Sequence, residues 1–259
     1  MTKRILMFTV LGLLALSAVS CQKLQARDNL NKGVQAFRAQ KYDSAIDHFK
    51  KAIELDPELT NAELYLATAY AQQFVPGSTS EENQKDAVMA VETFQKVLIK
   101  DPTNTTAMAG IASIYQNNNQ YDKAREAYMK NAEMDPQKYI PFYAVGSVDW
   151  IIVHNTDSKL SPEEQTKLVD EGLSYLDKSF ALNSDYEDTL WYQNLLLREK
   201  ARLAKDQAKL IKDKNQQKDM LAKYDEYIAK ADEWADKALG VRKKNAEKTA
   251  TPGGIDVNK

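Results

Sequence analysis

Side chains suited to metal binding or to nucleophilic and acid–base work near neutral pH are scarce in this 259-residue chain. There are two histidines, His48 and His154, and one cysteine, Cys21. No two of them stand at the short spacing that a metal site needs. His48 follows Asp47 and precedes Phe49, which places it on a solvated helix surface. His154 opens a turn-rich stretch with no second histidine nearby. No glycine-rich phosphate loop occurs, and no Ser-His-Asp set can be assembled. The 37 Asp and Glu are spread along the chain and read as solvated helix faces. Asn104-Thr105-Thr106 has the form of a glycosylation sequon and reads as a chance match. The expectation is a chain that is not an enzyme and has no cofactor, metal or small-molecule substrate.

What remains is binding, so the question becomes which elements build a surface and where it is held. Lys3 and Arg4 precede an apolar run over residues 5–19, ILMFTVLGLLALSAV, and small residues lead up to Cys21. That order is a secretory signal. About 15 apolar residues are short for a span, which takes roughly 20. The stretch LSAVSC ending at Cys21 resembles the lipobox of bacterial lipoproteins, although Ala18 stands where that family usually has Leu. The resemblance implies a lipid on Cys21, and Gln22 in place of Asp implies sorting to the outer membrane, facing the periplasm. The expected organisation is a signal over 1–20, then a lipidated end and short tether over 21–27. Six tether residues, extended, reach about 20 Å.

Charge divides the mature chain unevenly. Residues 21–197 hold 17 Lys and Arg against 26 Asp and Glu, whereas residues 198–259 hold 16 against 11. Neither segment is basic enough for a nucleic-acid partner.

Internal self-similarity is the strongest signal of the chain. Residues 41–57, KYDSAIDHFKKAIELDP, match residues 120–136, QYDKAREAYMKNAEMDP, without a gap; residues 85–102 form a looser copy and residues 171–186 a degenerate one. Each clear copy has helical spacing and ends in Asp-Pro, which stops one helix and can start the next, with the aspartate as its cap. Pro102 and Pro136 are 34 residues apart, the tetratricopeptide period. The chain resembles that family position by position. Gly33 and Gly110 match the small residue where the first helix meets the second. Tyr42 and Tyr121 match the aromatic that opens the second helix. Ala45, Ala90 and Ala124 match its small residue, Phe49, Phe94 and Tyr128 its aromatic, Ala52 its later alanine, and Pro57, Pro102 and Pro136 its close. Longer intervals elsewhere place extra loops at 74–83 and 154–164, each finishing with capping-box spacing, Thr79 with Glu82 and Ser161 with Glu164.

Beyond residue 186 the pattern lengthens. Leu196, Leu203 and Leu210 recur every seven residues, and Ala231, Trp234 and Ala238 echo a second repeat helix, so two long helices with a turn near 212–216 are expected. The resemblance therefore implies an all-α fold, a right-handed α-α superhelix of about five tetratricopeptide-type helical hairpins, the last elongated and acting as a cap. The solenoid spans 28–240, with repeats at about 26–59, 60–102, 103–136, 137–184 and 185–240, and a disordered tail over 241–259.

In this family the first helices line a groove. That register puts Leu30, Val34, Phe37, Arg38, Asn61, Leu64, Thr68, Asn104, Ala107, Ile111 and Tyr115 on it. The set differs from the Lys, Asn and Arg with which some members clamp a terminal carboxylate, since Leu30 and Val34 hold two of those places. Tyr139, Tyr143, Trp150, Trp191 and Tyr192 are more aromatic than repeats need and read as core or as a partner-binding patch. The resemblance implies a scaffold or adaptor for protein partners, held at the envelope membrane by its N-terminal lipid. The alternatives are a membrane-surface element acting through the basic C-terminal hairpin, or an accessory subunit of an envelope enzyme.

Overall fold

The computed structural model describes residues 21–155 and 159–250. The expected signal over 1–20 and the end of the chain beyond 250 lie outside them. Among the described residues there are ten α-helices and no strand. The first, α1, covers residues 21–38. It is followed by α2 (Tyr42–Leu55), α3 (Thr60–Gln73), α4 (Glu81–Lys100), α5 (Thr105–Asn117), α6 (Tyr121–Met134), α7 (Tyr139–His154), α8 (Pro162–Leu182), α9 (Glu187–Leu210) and α10 (Lys214–Ala250). They divide into two compact units that meet in sequence at Gln120 and Tyr121. No described helix is long and apolar enough to cross a membrane.

In the first unit α3 packs on α2 and α4, α4 on α5, and α3 also touches α5. The reason lies in small residues at fixed intervals. Ala45, Phe49 and Ala52 are fully buried on α2, and Ala90, Phe94 and Val97 repeat the same spacing on α4. Gly33 lets α1 and α2 approach, because a Cβ there would lie 2.5 Å from the Phe49 ring. Gly110 corrects the expected register. It admits the Phe94 ring from the preceding helix, not the second helix of its own repeat. The true equivalent of Gly33, twelve residues before the repeat alanine, is Ala112, which is also fully buried.

In the second unit α7 packs on α6 and α8, α8 on α9, α9 on α10, and α7 reaches α9. Val153, Val169, Leu176, Leu196 and Leu203 form the core. Here Gly172, Leu176 and Ser179 keep the Ala-aromatic-Ala spacing of the clear repeats, all buried. Gly146 on α7 has the role of Gly33, with a Cβ position 2.5 Å from Leu176 Cγ. In α9 the same place is taken by Asn194, which is buried and donates from Nδ2 to the Ala231 carbonyl at 2.6 Å. Ala231 and Ala238 are fully buried as expected, while Leu210 is 81% exposed, so the heptad seam ends at Leu203.

The joints differ from expectation in one respect. Asp56 and Asp101 do not cap the following helices. Each ends its own helix and accepts from the backbone N–H two residues on, Glu58 at 3.3 Å and Thr103 at 3.1 Å. The prolines sit inside that turn, and Asn183 does the same for Asp185 without one. The cap of α5 is instead Asn104. The α3–α4 loop also shifts by one residue. Ser80, not Thr79, caps α4 by accepting from Asn83 N–H, and the buried Asn83 amide accepts from Val75 N–H and donates to the Val75 and Ser78 carbonyls. At α8 the expected capping box is present: Ser161 accepts from Glu164 N–H at 3.2 Å and Glu164 from Ser161 N–H at 2.7 Å. A Ser161→Ala protein should lose about 1 kcal/mol, read as a lower urea midpoint at unchanged slope.

Two segments expected to be irregular are helical. Residues 21–27 are helical, and Ala26 is fully buried, so the expected tether is part of α1. At the other end α10 continues through Gly240 to Ala250, although glycine in an exposed helix costs about 1 kcal/mol. Arg242 bonds Glu187, Lys244 bonds Asp185, and the Arg242 guanidinium lies over the Trp191 ring, which holds these turns against the α8–α9 joint.

Candidate partner-binding face

The helices α7 and α9 are the first helices of successive repeats and touch each other, so the side chains they leave partly exposed share a face. On α7, Tyr139, Tyr143, Trp150 and His154 recur at intervals of four, seven and four, which is one side of a helix. On α9, Tyr186 at the cap and Tyr192 face them. Tyr143 meets Tyr186 at 5.1 Å and Tyr192 at 5.6 Å, both edge to face, and Trp150 meets Tyr192 in the same way at 5.7 Å. Tyr139 closes on Tyr186 at 4.9 Å. None of these rings is fully buried and none fully exposed. They form a continuous aromatic strip, apolar in its body and hydroxyl-bearing at its edge.

The negative charge of Asp188, in the first turn of α9, acts on all three of Tyr143, Tyr186 and Tyr192. Desolvation and the negative charge of Asp188 push the Tyr186 hydroxyl up to about 12 and raise Tyr192; burial first, then Tyr192 and Asp188, raise Tyr143 further. All three stay protonated under physiological conditions and remain hydrogen-bond donors.

At the far end of the strip His154 stacks on Trp150 at 4.7 Å and pairs through Nδ1 with Glu199 at 2.7 Å. Arg202 donates to the other Glu199 oxygen at 2.7 Å and to Gln165 at 3.0 Å. His154 is thus a strut between α7 and α9, at the end of α7 itself. Trp191 leaves the strip altogether: its indole donates to Glu187 beneath Arg242.

A second polar cluster lies among α6, α7 and α8. Asp149 is fully buried within the apolar α7 and accepts from Arg125 Nε at 2.5 Å. Arg125 also donates to Glu171 at 2.6 Å. Burial raises the Asp149 carboxyl to about 6 against the pull of Arg125. Hydrogen bonds and charge from Asp149 and Glu171 outweigh burial at Arg125 and raise its pKa. Two open hollows flank this cluster on the outer sides of α6 and α8, one beside Arg125, Glu126 and Met129, the other beside Lys167, Asp170 and Glu171. Through Arg125 the cluster ties α6, α7 and α8 together. Among the described residues no group of His, Cys, Asp and Glu is placed to hold a metal.

The groove positions expected in the first unit fare unevenly. Asn61 and Arg38 are exposed, and Leu30, Val34, Leu64 and Tyr115 are partly so. Ala107 and Ile111 are buried and belong to the core. Asn104 is engaged as a cap, the Thr68 hydroxyl bonds its own Leu64 carbonyl at 2.8 Å, and Phe37 packs edge to face on Tyr42 within its hairpin. His48 is half-buried and bonds Asn29 across α1 and α2 at 3.3 Å, so it is not the solvated surface residue expected. Cys21 is exposed. The basic C-terminal hairpin uses much of its charge internally: Arg198, Lys200, Arg202, Lys209, Lys230, Arg242 and Lys244 all pair with carboxylates.

No curated protein sequence matches the chain. Among solved structures it is similar to the MamA protein, with a TM-score of 0.60 at 15% identity over 86% of this chain and 94% of that one. It is similar to YrrB, described as a tetratricopeptide-repeat protein with an unusual peptide-binding site, with a TM-score of 0.55 at 15% identity over 90% and 97%. A tetratricopeptide-repeat protein from Parabacteroides merdae gives 0.54 at 14% identity over 85% and 78%. The fold is shared at these identities. Tetratricopeptide-repeat family models match residues 30–59 and 105–138 directly. The same spacing of buried residues recurs in both units, as Ala45-Phe49-Ala52 and as Gly172-Leu176-Ser179, and with these matches it shows that the chain carries tetratricopeptide repeats.

Proposed function

We propose that the protein is a non-catalytic adaptor, anchored to a bacterial envelope through a lipid on Cys21, that holds an extended segment of a partner protein against the aromatic face of α7 and α9. The repeats themselves build a protein-interaction scaffold. The observation that carries the finer reading is the aromatic strip from Tyr139 to Trp150, whose rings touch one another across α7 and α9 while staying partly exposed. Partly exposed aromatics with polar tips are the residues on which binding energy concentrates. The peptide-binding site described for YrrB offers a precedent for the fold in this role. The signal-like N-terminus and the exposed Cys21 support the anchor.

A photocrosslinking side chain placed at Ile140, which is 44% exposed and one turn before Tyr143, tests the face in intact cells. It should capture a defined partner, and Tyr143→Ala with Tyr192→Ala should reduce capture at least tenfold, about 1.4 kcal/mol or more. Equal capture from a probe at Lys218 on α10 would overturn the assignment. Radiolabelled palmitate should enter the full chain and not Cys21→Ser; label retained by that variant would remove the anchor from the reading.

A further inference from the structure

Three acids sit at the α8–α9 joint, and two are neutralised. Asp185 pairs with Lys244 at 2.7 Å and Glu187 with Arg242 at 2.7 Å. Asp188 is exposed and makes no ion pair among the described residues. It is also the acid whose charge reaches the tyrosines, acting on Tyr143, Tyr186 and Tyr192 together. On α9 it stands one helical turn before Tyr192 and two residues after Tyr186, whose rings both meet Tyr143. A carboxylate outside any ion pair keeps its acceptor capacity for an incoming donor. Beside it lie ring faces whose π-systems attract cations.

An acid in the first turn of a helix can serve the helix dipole alone, and Glu187 already supplies one. The aromatic surround separates Asp188 from that role. A neutral apolar segment would leave this carboxylate desolvated and uncompensated, whereas a cation would complete it. The net acidity of residues 121–197, with 7 basic against 14 acidic residues, favours the same sign of partner.

We infer that the aromatic face of α7 and α9 selects a positively charged side chain, Lys or Arg, within an extended partner segment, and that Asp188 with Tyr143, Tyr186 and Tyr192 forms the pocket for it. The inference rests on this face being the docking surface and adds the chemistry of what docks.

The test uses the full chain in non-ionic detergent with Trp191→Phe and Trp234→Phe, leaving Trp150 in the strip as the fluorescent reporter. Three extended Gly-Ser peptides serve as probes, carrying Arg, Gln or Glu at the same positions. The Arg peptide should shift Trp150 emission and bind about tenfold more tightly than the Gln peptide, with the Glu peptide weakest. Asp188→Asn should remove most of that preference and Asp188→Glu restore part of it. Both changes are at an exposed site, and an unchanged helical circular-dichroism signal checks the fold. Tyr186→Phe, which keeps the ring and removes its polar tip, should weaken the preference without abolishing binding. Equal binding of all three peptides through Trp150 would overturn the cation pocket and leave the docking face standing. Tighter binding of the Gln or Glu peptide would do the same. Failure of every peptide to perturb Trp150, with partner crosslinks mapping elsewhere, would overturn both.

Discussion

Replacing Leu176 by alanine should destabilise the protein by about 3–5 kcal/mol, the upper range for deleting a leucine from a packed core. Leu176 is fully buried on α8 and joins Val153 and Val169 to Leu196 and Leu203 on α9. It also fills the space that Gly146 leaves open on α7. Truncation leaves a cavity between three helices that cannot close without moving α7 toward α8. Chemical unfolding followed by circular dichroism should show a much lower midpoint; a change below about 1 kcal/mol would mean that the site collapses freely. Gly146 supplies the control. Gly146→Ala alone pushes a methyl into the Leu176 side chain and should cost stability. Combined with Leu176→Ala it meets less obstruction, though the Gly172 carbonyl still lies 3.0 Å from the new Cβ. The double variant should therefore lose less than the two single losses added, which is the signature of direct contact.

The second large effect is expected at Asp149. Removing one partner of a buried ion pair strands the other, a loss of about 3–5 kcal/mol. Asp149→Ala should approach that figure, tempered because Arg125 keeps Glu171. The pH dependence has the opposite sense to that of an ordinary surface acid. Asp149 titrates near 6 in the folded chain against 3.8 for the free side chain, because burial disfavours its charge. The folded state therefore holds a proton that the unfolded chain has released. This group's contribution is fully present below about pH 4 and is lost as pH rises through 6. Acids with lowered values, such as Asp101 and Glu226, act in the other direction, so the difference between wild type and Asp149→Asn is the quantity to follow. Wild type should fall relative to Asp149→Asn between pH 4 and 6.5. A flat difference would show that Arg125 compensates the buried charge fully.

How far the sequence reveals this molecule depends on whether the relevant physics is local. Ala45-Phe49-Ala52 and its copy on α4 announce themselves because interval and residue type agree, and both predict burial correctly. Gly172-Leu176-Ser179 keeps the interval and changes every residue type, so the repeat is visible there only as a degenerate echo. Gly110 misled for the reverse reason: it has the right residue type two positions from the right place. The aromatic face was half legible. Tyr139, Tyr143, Trp150 and Tyr192 stood out by abundance, but their abundance could not separate Trp191, which turns toward Arg242, from Tyr186, which turns inward. The Arg125, Asp149 and Glu171 network was invisible, since its members are 24 and 22 residues apart. Its one local trace was an aspartate within the apolar stretch of α7. Capping at α4 slipped by one residue because Thr79 and Ser80 are chemically equivalent caps, and the buried Asn83 decides between them.

Helical residues 21–26 would give a group carried at Cys21 a phase as well as a distance. An extended tether transmits only distance, and a residue added to it changes reach slightly. Between residue 21 and the buried Ala26 the chain is instead a rod. Each residue there advances about 1.5 Å and turns about 100°. A group carried at residue 21 is therefore indexed to one azimuth of the first hairpin, and a one-residue insertion would swing it to another side of the helix while barely altering its height.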